Sequence, residues 1–217
     1  LQDWLALAAA QSVSGEHKAA DQGIKALKIY TMPGLWKDTD LGLFDLSLKP
    51  ENSYWSGTIN SDVAKGQIRV PYQLRGAEKI NFNMDMLDFS LLQQANLTRK
   101  DPEQGSSQWD TVPEVMPLLA ISSKKTVWQG FDLGQLNVET ERRFNGIVFK
   151  RMELASEDHI LLVTGDWKIT GKQSETALKG HWEVPKAGAF FNQIGLTNDF
   201  TETNAKVDFT FNWKAAP

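Results

Sequence analysis

The residues able to do chemistry are few and scattered. The three histidines, His17, His159 and His181, lie far apart in the chain, and no two have the spacing of a paired metal ligand. Each reads as a surface or turn residue. There is no cysteine, which excludes disulfides, thiolate metal sites and cysteine nucleophiles. Glu157 and Asp158 are adjacent in a predicted turn. Neighbouring acids there are solvated or capping, unlike the facing carboxylates that cleave glycosides. Glu139, Glu141, Arg142 and Arg143 read as a mixed-charge hairpin end. Ser122-Ser123-Lys124-Lys125 and Ser12-Val13-Ser14-Gly15 support no nucleophile arrangement, and no glycine-rich phosphate loop is present. Asn96-Leu97-Thr98 is a formal glycosylation sequon. The expectation is a protein that is not an enzyme and needs neither metal nor cofactor.

Composition narrows the class. The chain has 217 residues, a net charge of −4 and a pI near 5.4, so it lacks the basic footprint of a nucleic-acid binder. No apolar run reaches the roughly 18 residues of a membrane-crossing helix. Leu1 to Ala10 lacks the basic start of a signal peptide, and a chain beginning at Leu1 is expected to be a mature form or a piece of something larger. Eight Trp and eleven Phe stand against three Tyr. Rings of that kind fill a core or make a broad apolar surface for a greasy ligand.

The elements that would position these rings are strands. From Trp128 to Trp182 and just beyond, apolar residues tend to recur every second position. Val148, Met152 and Leu154 form one set, Leu161, Val163, Trp167 and Ile169 a second, and Leu178, Trp182 and Val184 a third. A period of two puts each set on one face of a strand, and short turns between strands make an antiparallel meander with one apolar face. Leu27, Ile29 and Thr31 begin an earlier strand, and Phe44, Leu46 and Leu48 alternate in another. Ile80, Phe82, Met84 and Met86 alternate against Lys79, Asn81, Asn83 and Asp85. Pro71 marks an edge or a local break. The last strand carries Val207, Phe209, Phe211 and Trp213 on one side.

Two short helices interrupt the strands. One is expected near 88–95, capped by Asp88, and one near 186–194, with Pro185 at its start and Gly195 after its end. The organisation read from this pattern is a first β unit over 1–98, a polar linker over 99–117 and a second β unit over 118–217, with one continuous domain as the alternative. Trp36–Gly42 (W-K-D-T-D-L-G) and Trp128–Gly134 (W-Q-G-F-D-L-G) stand 92 positions apart. The alternation after each stays in phase, which suggests one multi-strand unit used twice. Trp167, Trp182, Val207, Phe209, Phe211 and Trp213 are the candidates for a functional surface, with core packing as the competing role.

These residues also carry a resemblance. Asp132-Leu133-Gly134 precedes a strand, and F-K-R-M-E-L-A-S-E-D from Phe149 leads to Gly165-Asp166-Trp167. Trp182-Glu183-Val184, G-A-F-F-N-Q-I-G-L from Gly188 and the final F-N-W-K-A-A-P then follow in order. Together they resemble the YhdP group of AsmA-like proteins, closely from Trp128 to Pro217 and more loosely before. The resemblance implies an internal segment of a long Gram-negative envelope protein, anchored in the inner membrane with its β-rich body in the periplasm. It implies an elongated, taco-like sheet with an apolar inner face. It implies guidance of phospholipid acyl chains between inner and outer membranes, with the six aromatic and apolar candidates facing lipid. The rivals are a stiff structural spacer and a β-sandwich module binding carbohydrate or protein.

Overall fold

The computed structural model describes residues 24–32, 35–36, 39–40, 42–74, 76–90, 113, 116–171, 173–193 and 203–217. In the first half the strands are β1 (Leu27–Thr31), β2 (Leu35–Trp36), β3 (Thr39–Asp40), β4 (Phe44–Glu51), β5 (Tyr54–Ser61), β6 (Ala64–Pro71) and β7 (Lys79–Asp88). In the second half they are β8 (Leu118–Trp128), β9 (Phe131–Arg143), β10 (Gly146–Ala155), β11 (Ile160–Thr170), β12 (Gln173–Val184) and β13 (Ala205–Trp213). One short helix, α1 (Ala187–Gln193), joins β12 to β13. Eleven strands form a single open sheet in the order β1-β4-β5-β6-β7-β8-β9-β10-β11-β12-β13, and β2 and β3 form a separate two-residue ladder.

The expected meander holds with one exception. Every neighbouring pair in the large sheet is antiparallel except β7 and β8, which run parallel, Lys79 opposite Leu118 and Asp88 opposite Val127. A parallel pair cannot be closed by a tight turn, and here residues 89–117 make the connection. The strands expected in the two β units therefore lie in one hydrogen-bonded sheet. The linker expected over 99–117 falls outside the described residues up to 112.

Two β-bulges correct the sequence pattern. A register shift between Phe149 and Met152 inserts an extra residue into β10. One extra residue exchanges the two faces of a strand. Ile147 and Phe149, rather than Val148, consequently share a side with Met152 and Leu154. The same happens in β7: Met84 pairs with Gly66 but Met86 pairs with Lys65, so Met86 leaves the side of Ile80, Phe82 and Met84, and Leu87 takes its place. Pro71 is the last residue of β6, where its missing N–H costs no interior ladder bond.

The C-terminal helix is described over Ala187–Gln193, inside the expected 186–194, and residue 194 lies outside the described residues. Its first turn closes with the Phe190 N–H on the Lys186 carbonyl at 3.0 Å. Near 88–95 the Asp88 carboxylate accepts from the Ser90 N–H at 2.8 Å, as a cap would. The helix expected to follow lies outside the described residues beyond Ser90. Both D-L-G glycines of the repeat have left-handed backbone, Gly42 at φ 66° and Gly134 at φ 85°. At Gly134 a Cβ would also come 2.1 Å from the Ala155 carbonyl oxygen, so glycine serves both conformation and space there.

Candidate functional site: an apolar row across eleven strands

Residues directly opposite one another in a sheet share a side. Followed from strand to strand, one row reads Leu27, Leu48, Gly57, Ile68, Phe82, Ile121, Val138, Met152, Val163, Gly180, Phe209. All eleven positions are apolar or glycine. A second row on the same side reads Ile29, Leu46, Ile59, Gly66, Met84, Ser123, Leu136, Leu154, Leu161, Trp182, Val207, with Ser123 as its polar member. At strand spacings of about 4.8 Å each row runs on the order of 48 Å.

The neighbouring row on the opposite side is Lys28, Ser47, Thr58, Gln67, Asn83, Ser122, Asn137, Glu153, Leu162, His181, Asp208. Leu162 alone is apolar. Charge pairs populate this side: Lys79–Glu139 at 2.6 Å, Lys150–Glu141 at 2.8 Å and Lys206–Glu183 at 2.7 Å. The Arg69 guanidinium sits 4.0 Å from the centre of the Tyr54 ring. His181, on β12, places Nδ1 2.7 Å from Asp208 of β13 and Nε2 3.0 Å from Glu183. Hydrogen bonds to Glu183 and then Asp208 raise its pKa above the ordinary imidazole value. Among the described residues no three His, Asp or Glu side chains form a metal-binding group.

The register brings the six candidate residues together on the apolar side. Trp182 and Val207 are opposite one another, as are Trp167 and Thr176, then Thr176 and Trp213. Phe209 lies opposite Gly180 and Phe211 opposite Leu178. Their surroundings differ. Trp167 is 2% exposed, packed with Leu118, Ile147 and Phe149, and its Nε1–H donates to Ser174 at 2.6 Å. Trp182 packs against the cluster of Val184, Ala187 and Phe190. Phe209 and Phe211 lie 5.1 Å apart, and Phe211 is 56% exposed on the last strand of the sheet. Val207 is also exposed.

Both strand ends of this side are covered in the second half. At the Trp167 end, Arg142 donates to the carbonyls of Pro113 at 2.7 Å and Met116 at 2.6 Å, and Met116 joins the Trp167 cluster. The C-terminal tail folds back there: Thr176 Oγ1 donates to Ala215 at 2.7 Å and Trp213 Nε1–H to Ala216 at 2.8 Å. At the other end α1 lays Ala187 and Phe190 on Val184. His159, expected at a surface or turn, does occupy the β10–β11 turn, but it is buried, its ring 4.8 Å from that of Phe190. His17 lies outside the described residues. The sequence signal for the buried role is faint: an imidazole just before an apolar strand, matched by a Phe-Phe pair in the later helix.

The class is thus set by the sheet: a long, open, mostly antiparallel β-structure whose two sides differ in polarity row by row. The chain belongs to the YhdP family, since the family model described as YhdP protein matches residues 1–217. That membership agrees with a place among AsmA-like proteins. No curated protein and no solved structure matches the chain.

Proposed function

We propose that this chain is a non-catalytic periplasmic segment of an inner-membrane-anchored envelope protein, and that its apolar sheet side is an inner face that guides phospholipid acyl chains between inner and outer membranes. The observation that carries this reading is the unbroken row from Leu27 to Phe209. It crosses the strands, so an acyl chain lying along it passes from strand to strand without meeting a charge. Removing its methylenes from water contributes about 25 cal/mol per Å². The covered strand ends, at α1 and at the Arg142-bound segment, confine such a chain laterally. Headgroups need no dedicated site, because they can remain in solvent along an open edge. The family membership supports a lipid-related envelope role at the same coarse level.

The sandwich alternative fits the architecture less well. The described strands make one large sheet and a two-residue ladder, not two sheets packed face to face. The spacer reading is separated by experiment. Native mass spectrometry of the purified chain, with organic extraction, is expected to find co-purifying phospholipid that Phe211→Asp reduces while the circular dichroism spectrum is retained. A lipid-free mass together with no uptake of a fluorescent phospholipid would leave the spacer as the better account.

A further inference from the structure

We propose that α1 is a lid over the Trp182 flank of the apolar rows, latched by a neutral His159, and that acid releases it. Its consequence for lipid passage rests on the groove reading above; the latch itself is independent of that reading.

The described part of α1 is seven residues, and a helix of that order does not hold alone. What holds them is docking: Ala187 and Phe190 on Val184, Phe190 and Phe191 edge-on to Trp182 at 5.9 and 5.8 Å, and the Ala187 N–H on the Thr203 carbonyl at 2.7 Å. His159 completes this contact. It is 2% exposed and stands between Phe190 at 4.8 Å and Trp182 at 6.4 Å. Its Nε2 is 3.1 Å from the Leu133 carbonyl. A carbonyl only accepts, so Nε2 carries the hydrogen and Nδ1 of the neutral ring is bare. Nδ1 is buried with no hydrogen-bond partner.

Protonation would place a second N–H, and a charge, beside the rings of Phe190 and Trp182. The charges around the ring do little to receive it. Asp158, on the same turn, favours the charged form, as does the Leu133 carbonyl of β9, but burial outweighs both. No acid lies in the first turn of α1 and no base in its last. Lys186, just before it, is exposed and of the wrong sign to help. On β12, Glu183 alternates with Trp182 and Val184 onto the other side, where it pairs with His181 and Lys206. Undocking α1 lets water reach Nδ1, so acid favours the undocked state. The docked ring binds its proton less readily than an exposed one. Docking is therefore at full strength above the ordinary imidazole value, about 6.5, and weakens as pH falls below it.

Hydrogen exchange of the whole chain at pH 7.5 and 5.0, corrected for intrinsic rates, tests this in the wild type and in His159→Phe, which keeps an apolar ring without a titrating group. The expected result is a loss of protection at Ala187–Gln193 on acidification, approaching tenfold for each pH unit separating the docked and undocked ring, and no such loss in the variant. Equal loss in both proteins, or none in the wild type, would overturn the proposal. Should His159→Phe fail to fold, an NMR titration of the wild type decides. His159 charging only as the α1 signals move supports the latch, and charging near 6.5 with α1 undisturbed defeats it. A fluorescent phospholipid that binds at neither pH, beside an acid-labile α1, would remove the groove reading and leave the latch standing.

Discussion

The Phe209 ring lies over Gly180 of the neighbouring strand, so close that a Cβ at Gly180 would come 2.1 Å from Cζ of the ring. Glycine at this position in the row lets an aromatic ring lie down on the sheet instead of standing up from it. Leu178 makes the same use of Gly165, where a Cβ would come 2.8 Å from its Cδ2. Both glycines keep the apolar side low.

The two positions differ in what a methyl group would displace. At Gly180 the obstacle is the far end of a side chain, which can swing away. At Gly165 it also includes the Ala177 carbonyl oxygen at 2.1 Å, which is backbone. Gly180→Ala is expected to cost about 1–2 kcal/mol, and Gly165→Ala more than that, because relieving the overpacking there means pushing β11 and β12 apart. Urea denaturation ranks them. In a double-mutant cycle, Phe209→Ala should cost less in the Gly180→Ala background than in the wild type, because the contact is already lost. Additivity would mean that the ring does not rest on Gly180.

Trp167 and Phe211 share a side of the sheet but should separate stability from binding. Trp167→Ala empties a closed cluster with Leu118, Ile147 and Phe149 and is expected to cost about 3–5 kcal/mol. Phe211 is 56% exposed, and Phe211→Ser should stay within about 0.5 kcal/mol of wild type, as surface substitutions do, while reducing uptake of a fluorescent phospholipid. A large destabilisation by Phe211→Ser would show that its contact with the Phe209 ring holds the strand in place, and unchanged uptake would take it out of the lipid path.

Lys79 of β7 reaches Glu139 of β9 across the intervening strand β8, at 2.6 Å. The pair therefore clamps the one parallel junction in the sheet. The hydrogen bond from Lys79 lowers the Glu139 pKa below its ordinary value. A carboxylate depressed in the folded state stabilises above the unfolded value, near 4.3, and loses that contribution as pH falls through the folded one. Both side chains are partly exposed, which limits the gain. Glu139→Gln should lower stability by about 0.2–1 kcal/mol at pH 7, with the difference shrinking at high salt and vanishing in strong acid. A difference that persists in acid would assign the effect to packing.

Much of this architecture is legible because a half-buried strand writes its period of two directly into the chain. Val207, Phe209, Phe211 and Trp213 show it at β13, and Phe44, Leu46 and Leu48 at β4. The pattern fails where a bulge intervenes. Nothing in Phe149-Lys150-Arg151-Met152 says that the count slips there, so simple alternation groups Val148 with Met152 when Ile147 and Phe149 belong beside it. The parallel β7–β8 pair is also beyond reach, since strand direction depends on where a long connection returns. The six candidate residues fall on one side, as their periodicity says. Their unequal burial has no such signature, because the cover on Trp167 comes from Met116 and Ala216, distant in sequence and without any periodic signal.

His181 should respond to pH in the sense opposite to His159. Both of its ring nitrogens face carboxylates, Glu183 on its own strand and Asp208 on β13. Carboxylates accept, so the arrangement is complete only when both nitrogens carry hydrogen and the ring is charged. Its pKa is accordingly raised in the folded chain, by the hydrogen bond to Glu183 first and to Asp208 second. A raised imidazole stabilises fully below the unfolded value, about 6.5, and that contribution is lost as pH climbs through the folded one. β13 has a strand neighbour on one side only among the described residues, so the loss should appear as faster exchange of the amides that bind it to β12. Raising pH from 6 to 8 is expected to reduce their protection, after correction for intrinsic rates, in the wild type but not in His181→Gln. If the variant lost protection with pH just as steeply, β13 would be held by its ladder and its apolar contacts alone, and the cross-strand imidazolium would be a surface ornament of the polar side.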